Sequence, residues 1–340
     1  MKVKKYGFAV LFAIVLFVFT GYLLADTFLI SRVYTVVEQA QTPVGQEESK
    51  TVEFVLSQPT AQPEATEQAE TTAQPDVTEQ TEAAAQPTAE ALTIAPVSDE
   101  TSYSDGNIAI ALSTYRIADT TVYVADVQLS SADYLKTAFA QSAYGRNVTE
   151  KTSSIASSVD AILAINGDYY GAQRSGYVIR NGVLYRSSSS GSEDLVIYAD
   201  GSFGIVNEND VTAEALLASG AWNVLSFGPA LVADGTVAVG VNDEVGKAMA
   251  SNPRTAIGMI DDLHYVFAVA DGRTSASEGL SLYELATFLQ ELGVKTAYNL
   301  DGGGSSSMVF MGNLINNPTT NGKRTSERSV SDIVYIGYGA

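Results

Sequence analysis

Two aspartates in the C-terminal part of the chain each follow an apolar run and begin a glycine-containing loop. Asp271 opens Asp-Gly-Arg, and Asp301 opens Asp-Gly-Gly-Gly-Ser-Ser-Ser. Glycine lets the backbone approach a ligand closely and present successive N–H groups to an anion. Carboxylates beside such loops can serve as acids, bases or nucleophiles. Asp-Gly also makes ordinary turns, as at Asp200, so Asp301 with its three glycines is the stronger candidate.

The elements around these loops predict a βαβ unit. Leu263–Ala270 and Val294–Leu300 have the pattern of strands, and Leu282–Leu292 between them has helical spacing of its apolar residues. Ser281–Glu284 has the spacing of a capping box. Strands joined in this way run parallel and end at one edge of a sheet, where ligands gather in α/β folds. We therefore expect the two aspartates to lie at the same edge.

Polar and aromatic residues elsewhere add candidates for ligand binding. Asn166, Asp168 and Tyr169 form one turn, which suits either sugar recognition through hydrogen bonds and ring stacking or a plain hairpin with core tyrosines. Arg254 opens a predicted strand after a proline, and is either a bidentate clamp for phosphate or carboxylate or a surface arginine. Phe227-Gly228-Pro229 is a further candidate turn.

Composition excludes several kinds of chemistry. The chain of 340 residues has no cysteine and one histidine, His264, which rules out thiol nucleophiles, disulfides and multi-histidine metal sites. His264 is flanked by apolar residues, so we expect a structural role and no Ser-His-Asp triad. The net charge of −20 argues against nucleic-acid binding, which needs clustered lysine and arginine.

The fold class follows from strand signals that recur through residues 101–340. Asn181-Gly182 and Asp200-Gly201 are hairpin turns between short apolar runs. We predict an α/β (α+β) fold, with a single strand-rich domain over 101–340, a mixed sheet and the βαβ unit near the C-terminus. Asn147-Val148-Thr149 matches a glycosylation sequon.

The N-terminal hundred residues predict an anchor and a stalk. Residues 1–5 carry three lysines, 6–25 are uncharged and apolar, and 26–100 are acidic and rich in Gln, Thr, Glu and Pro. The apolar run is long enough to span a bilayer, with the N-terminus cytoplasmic and the rest extracellular; a cleaved signal peptide is the alternative. Of the net charge, −12 falls between Glu38 and Glu100, which indicates a disordered spacer.

Seven segments in fixed order resemble the phosphodiester glycosidase family. The most specific is Asn299–Ser306, and the resemblance covers about 107–336. The segments are Asn166–Tyr170, Phe227–Pro229, Asn252–Gly258, Asp271–Arg273, Leu282–Leu292, Asn299–Ser306 and Arg328–Asp332. Many relatives have Gly-Gly-Phe-Phe where this chain has Gly-Asp-Tyr-Tyr, which bears on the sugar more than on the reaction.

The resemblance implies hydrolysis of a sugar-1-phosphodiester, such as a GlcNAc-1-phosphodiester of a cell-surface glycan, to a free sugar and a phosphomonoester. It implies Asp301 and Asp271 as the catalytic carboxylates. The residues implied for phosphate binding are Arg254, Arg273, Gly303, Gly304, Ser305 and Ser306. Those implied for substrate binding are Asn166, Asp168, Tyr169, Phe227, Gly228 and Asn299. The resemblance implies no required cofactor. A divalent cation could bridge the two aspartates and the phosphate through oxygen ligands. The sequence does not determine the oligomeric state.

Two other functions fit the same residues. One is a non-catalytic protein of the cell surface that binds carbohydrate or assembles exopolysaccharide. The other is a metal-dependent phosphodiesterase that cuts the opposite side of the phosphate and releases a sugar phosphate.

Overall fold

The computed structural model of the chain describes residues 7–36, 97–98, 100–244 and 251–339. The helices in these ranges are α1 (Gly7–Phe28), α2 (Thr152–Ser158), α3 (Ala213–Ala218) and α4 (Leu282–Glu291). The strands are β1 (Arg32–Val36), β2 (Val97–Ser98), β3 (Ser102–Ser104), β4 (Ile108–Ile117), β5 (Thr120–Leu129), β6 (Leu135–Phe139), β7 (Ala143–Arg146), β8 (Leu163–Asn166), β9 (Val178–Arg180), β10 (Val183–Arg186), β11 (Glu193–Tyr198), β12 (Phe203–Asn207), β13 (Ala221–Leu225), β14 (Ala230–Ala233), β15 (Thr236–Val237), β16 (Arg254–Asp261), β17 (His264–Ala270), β18 (Thr296–Asn299), β19 (Met308–Phe310), β20 (Asn313–Leu314) and β21 (Asp332–Ile336).

These strands form four sheets. The largest has nine strands in the order β15-β14-β18-β16-β17-β5-β4-β3-β2. Two five-stranded sheets have the orders β10-β9-β13-β11-β12 and β20-β19-β8-β21-β6, and β1 pairs with β7. One buried apolar cluster joins the larger sheets, with Phe267 from the nine-stranded sheet and Leu195 and Ile165 from the other two. The prediction of a strand-rich fold with few helices is confirmed.

In the predicted βαβ unit, a third strand lies between the two parallel strands. β17 and β18 each pair antiparallel with β16, which lies between them. The two strands therefore run in the same direction without being neighbours. Arg254 lies opposite Ala270, and Ala256 lies opposite Asn299, so both strands end beside the start of β16. Asp271 and Asp301 accordingly follow strands that end at the same sheet edge, as predicted.

Helix α4 connects these two strands and covers the sheet. Ser281 and Glu284 form the predicted capping box, each side chain accepting from the other residue's backbone N–H. Leu282, Leu285 and Leu289 recur at helical spacing and are fully buried against the sheet. Burial of this apolar stripe fixes α4 and thereby the loop that follows β17.

The N-terminal helix leads directly into a strand that packs on the domain. Residues Ala9–Thr27 of α1 are long and apolar enough to cross a membrane, and they are not buried inside the structure. β1 pairs antiparallel with β7, so Arg32–Val36, which were predicted as part of the stalk, form a strand against the domain. Residues 37–96 of the predicted stalk lie outside the described residues.

The side chain of Asn147 secures this N-terminal connection. Its Nδ2 donates to the carbonyl oxygens of Ile30 at 3.0 Å and Thr27 at 3.2 Å. The sequon nitrogen is thus engaged in holding the end of α1 to the domain.

Candidate active site

Sequence segments that are far apart meet at the carboxyl end of β18. Tyr298 Oη accepts from the backbone N–H of Phe227 at 2.9 Å. Asn299 Nδ2 donates to the carbonyl of Gly228 at 2.8 Å. Two residues beyond Asn299, the carbonyl of Asp301 accepts from Asn166 Nδ2 at 2.6 Å. The end of this strand thus positions three of the predicted segments with main-chain and side-chain hydrogen bonds.

Asn166 is a buried connector in this arrangement. Besides its bond to Asp301, its Oδ1 accepts from Thr255 Oγ1 at 2.8 Å and from the backbone N–H of Ser307 at 3.2 Å. The residue has no exposed surface. Its position therefore fits a role in holding the Asp301 loop, and direct sugar contact would need this network to open.

Asp301 is paired with an arginine that the sequence-based site did not include. Arg328 Nη2 lies 3.1 Å and 3.0 Å from the two carboxylate oxygens of Asp301. Arg328 Nε also donates to Ser305 Oγ at 2.8 Å. The Asp301 carboxylate is largely buried, whereas the Arg328 side chain is 40% exposed. A cation that solvent can reach thus lies directly over a buried carboxylate.

Burial raises the pKa of Asp301, and the charge of Arg328 is the largest opposing influence. Hydrogen bonds from Ser305, Arg328 and Gly302 also favour the ionised form. A carboxyl group under such opposed influences is typical of functional sites.

Arg328 and Arg254 each lie close enough to Arg273 for their charges to act on it. Burial, followed by the positive charges of Arg328 and Arg254, lowers the pKa of Arg273. Asn252 Oδ1 accepts from Nε and Nη2 of Arg273 at 3.2 and 2.9 Å. The structure therefore brings together two of the predicted phosphate-binding arginines with a third. Like charges held together in this way favour an anion between them.

Arg254 is more deeply buried than the other two arginines. Its Nε donates to the carbonyl of Leu280 at 2.9 Å, and its Nη2 forms an ion pair with Glu244 at 2.6 Å. Its side chain is 3% exposed. Binding of phosphate by Arg254 would compete with this carboxylate.

Close contact explains the glycines that follow Asp301. A Cβ on Gly303, whose φ is +64°, would lie 2.8 Å from Arg273 Nη2, and one on Gly304 would lie 2.5 Å from Thr320 Oγ1.

The prediction that this backbone presents successive N–H groups to an anion needs correction. The N–H groups of Gly303, Ser305 and Ser306 already donate to carbonyls, those of Pro253, Gly302 and Gly303. These three N–H groups therefore already have acceptors within the protein. Ser306 is fully buried.

Asp271 accepts hydrogen bonds from the segment that contains Asn316 and Asn317, next to the Asp301 loop. Its Oδ1 accepts from Asn316 Nδ2 at 3.1 Å and from the Asn317 backbone at 2.9 Å, while its Oδ2 accepts from Asn317 Nδ2 at 3.1 Å. Asn316 Nδ2 also donates to the carbonyl of Ser306 at 2.9 Å. The two aspartate loops are thus connected through one asparagine, and the position of Asp271 favours a positioning role.

Asp168 belongs to a separate buried ion cluster. Arg180 Nη2 lies 2.8 Å from both Asp168 Oδ2 and Asp332 Oδ2, and none of the three side chains is more than 2% exposed. Asp168 therefore lies beneath the surface, where ion pairing compensates its desolvation. The next residue, Tyr169, has a left-handed backbone with φ +67° and is 41% exposed. Of this predicted pair, Tyr169 is the one accessible to a substrate.

Residues that sequence reasoning left out complete the site. Arg328 lay in the last of the seven segments but carried no assigned role, because its distance from Asp301 along the chain gave no sign of contact. Asn316 and Asn317 lay in a polar loop with no motif. Within the described residues, no group of three or more His, Cys, Asp or Glu side chains is placed to hold a metal ion.

Comparison with known proteins gives a family match over half of the chain. A family model described as phosphodiester glycosidase matches residues 160–337. The SPbeta prophage-derived uncharacterized protein YomE of Bacillus subtilis (strain 168) is 30% identical over 201 residues, 57% of this chain and 31% of that protein. N-acetylglucosamine-1-phosphodiester alpha-N-acetylglucosaminidase of Mus musculus is 42% identical over 66 residues, 19% of this chain and 13% of that protein. The chain thus spans less than a third of the length of these curated relatives.

Two solved structures share the fold. The catalytic domain of zebrafish N-acetylglucosamine-1-phosphodiester alpha-N-acetylglucosaminidase, auto-inhibited by its pro-peptide, matches with a TM-score of 0.55 and 22% identity, over 68% of this chain and 83% of that one. A hypothetical protein from Synechocystis matches with a TM-score of 0.53 and 14% identity, over 68% of this chain and 62% of that one.

Proposed function

The chain belongs to the phosphodiester glycosidase family, and we propose that it hydrolyses a sugar-1-phosphodiester of a cell-surface glycan to a free sugar and a phosphomonoester. The observation that carries this proposal is the pairing of Asp301 with Arg328 beside Arg273 and Arg254. A carboxylate next to clustered guanidinium groups suits a reaction in which a sugar gains positive charge and a phosphate leaves.

The arginines account for the leaving-group side of the reaction. The bond that breaks joins the anomeric carbon to the phosphate oxygen, and both electrons of the bond stay with that oxygen. Guanidinium groups bind phosphate oxygens through paired N–H donors and stabilise the charge that develops. Arg273 and the partly exposed Arg328 are the candidates for first contact, and Arg254 would join them by exchanging Glu244 for phosphate.

Asp301 accounts for the sugar side. Acting as nucleophile, its carboxylate would attack the anomeric carbon and water would release the sugar; acting as base, it would take a proton from the attacking water. Either role needs the ionised carboxylate, which Arg328 favours despite burial. Asp271 and Asn166 would act by positioning the two loops, and Tyr169 would offer its exposed ring to the sugar.

Product analysis tests this proposal. The full chain in detergent micelles is incubated with UDP-GlcNAc or a GlcNAc-1-phosphodiester, with and without EDTA, and the products are identified. We expect free sugar and phosphomonoester, with a loss of at least about 100-fold for Asp301→Asn and Arg273→Gln, typical of removing a reacting or charge-stabilising group.

Other outcomes separate the alternatives. Sugar phosphate as product would identify a phosphodiesterase, and an EDTA-sensitive reaction would add a cation. Saturable binding of glycan phosphodiesters with no turnover would identify a non-catalytic binding protein. Full activity of Asp301→Asn on a substrate that the wild type cleaves would refute the assignment of this site.

We further propose that α1 anchors the protein in a membrane with the domain on the outer side. The support is the apolar length of Ala9–Thr27 and the three lysines that precede it in the sequence. Protease treatment of intact cells is expected to digest the domain. Protection of the domain until the cells are lysed would indicate the opposite orientation, with the domain in the cytoplasm.

A further inference from the structure

We propose that a pocket beside β1 binds a phosphate group of the material at the membrane surface, as a second anion site outside the Asp301 cluster. This β1 pocket has a volume of about 230 Å³. Its walls include three arginines and three tyrosines, namely Arg146, Arg174, Arg186, Tyr34, Tyr144 and Tyr170. None of the residues that surround Asp301 lines it.

The arginines of the β1 pocket lack anionic partners within the described part of the chain. None of the three has a carboxylate within ion-pair distance there, unlike Arg180 and Arg254. Arg186 is fixed by bonds from Nε to the carbonyl of Gly176 at 2.6 Å and from Nη1 to that of Gln173 at 2.9 Å. Its Nη2 and the Nε of Arg146 are buried without a hydrogen-bond acceptor. Donors of this kind are costly when unsatisfied, and an oxyanion would satisfy them.

Charge and shape favour phosphate over a carboxylate. Three guanidinium groups around one small pocket match an anion with up to two charges and three terminal oxygens. A carboxylate has one charge and two oxygens, so it would leave part of the donor set unused. Asp168, whose charge acts on Arg186, is already paired with Arg180, and so is Asp332.

The tyrosines form a wall suited to the carbon skeleton that carries the phosphate. Tyr144 and Tyr170 are stacked, with ring centroids 5.4 Å apart and an interplanar angle of 16°. Tyr34 lies 5.8 Å from Tyr144 and is 55% exposed. Aromatic rings beside cations bind the apolar faces of sugars and polyols while the charged groups take the anion.

Strand β1 builds this pocket and places it next to the end of α1. Tyr34 belongs to β1, which can pair with β7 because residue 145 is glycine: a Cβ there would lie 2.1 Å from the carbonyl oxygen of Arg32. Asn147, which directly follows β7, contacts the last residues of α1. With α1 in a membrane, the pocket would face phosphate of two sources, lipid headgroups and glycerol-phosphate polymers.

Binding of two probes tests the proposal. The full chain in dodecyl maltoside is titrated with glycerol 1-phosphate by calorimetry, and the chain in neutral nanodiscs is compared with the chain in nanodiscs that contain phosphatidylglycerol. The variants are the double change Arg146→Gln/Arg174→Gln, with Lys151→Gln/Lys295→Gln as an exposed control of equal charge change. All are repeated in the Arg328→Gln background, which weakens anion binding at the Asp301 cluster.

We expect saturable binding that persists in Arg328→Gln and in Lys151→Gln/Lys295→Gln and weakens at least tenfold in Arg146→Gln/Arg174→Gln. Binding of glycerol 1-phosphate indicates a polymer or soluble source, and a response to phosphatidylglycerol alone indicates a lipid headgroup. Unchanged affinity in Arg146→Gln/Arg174→Gln, or no saturable binding of either probe, overturns the proposal. If Arg146→Gln/Arg174→Gln melts early, Tyr34→Ala replaces it, because that exposed side chain forms the wall and its loss should also weaken binding.

Discussion

Arg328 Nη2 contacts both carboxylate oxygens of Asp301, at 3.1 and 3.0 Å, across a separation of 27 residues in the chain. One of these groups is buried and the other reaches solvent. The contact joins the loop after β18 to the segment before β21. It makes the ionisation of Asp301 depend on a residue outside its own loop.

Arg328→Gln should move the acid limb of the pH–activity profile to higher pH. Arg328 opposes the burial that raises the pKa of Asp301, so its removal raises that pKa further. The ionised form then disappears at a higher pH on acidification, and activity at pH 5 falls more than activity at pH 8. Arg328→Lys, which keeps the charge, should shift the limb less. An unchanged limb in Arg328→Gln would show that Asp301 does not govern it.

Gly303→Ala should reduce activity by displacing Arg273. The new Cβ would lie 2.8 Å from Nη2 and 3.3 Å from Cζ of that guanidinium. We expect a fall in activity of about 10- to 100-fold, of the size that a displaced charge-stabilising group produces. Gly312→Ala is the control, because its φ of +77° imposes similar strain and a Cβ there meets nothing within 4 Å. Equal losses in both variants would mean that strain alone is responsible.

Arg180→Met should destabilise the fold by about 3–5 kcal/mol, because it leaves two buried carboxylates without their cation. Urea unfolding followed by circular dichroism measures the change. Adding Asp168→Asn and Asp332→Asn to Arg180→Met should recover part of the loss. A triple variant less stable than Arg180→Met would show that the carboxylates contribute mainly through their own hydrogen bonds.

Asp194→Asn should remove a decline in stability that accompanies a rise in pH from about 4 to about 9. Burial raises the pKa of Asp194 to about 9, and the charge of Glu208 adds to the effect. The folded state therefore keeps a proton that the unfolded chain releases near its ordinary pKa of about 4. Stability falls as pH rises between these values, by up to about 1.4 kcal/mol per unit. Melting temperatures of the wild type and variant should diverge from pH 6 to pH 9, and parallel curves would contradict the assignment.

Gly145→Ala should release β1 from β7. A side chain at this position meets the Arg32 carbonyl at 2.1 Å and Val148 at 2.8 Å. Hydrogen exchange of residues 32–36 should rise by at least tenfold, while exchange in β17 and β18 stays unchanged. Continued protection of β1 would show that the strand can shift to accommodate the methyl group.

Local patterns in the sequence determined most of the elements. Apolar runs predicted β17 and β18, the Asn181-Gly182 and Asp200-Gly201 turns predicted two hairpins, and helical spacing with a capping box predicted α4. Hydrophobic periodicity and turn chemistry act over a few residues, so one stretch of sequence carries them. The common sheet edge of Asp271 and Asp301 followed from the connection through α4.

The tertiary structure decided which polar groups are accessible and which are already paired. Asp168 and Tyr169 are adjacent, yet one is buried against Arg180 and the other is exposed. Arg254 meets Glu244, the N–H groups after Asp301 meet carbonyls, and Arg328 meets Asp301. Arg328 and Asp301 are 27 residues apart, and Arg180 and Asp332 are 152 residues apart, so these two pairings depend on how whole sheets pack. The sequence identified the residues whose types could take part in chemistry, and the packing of the chain determined which of them are accessible.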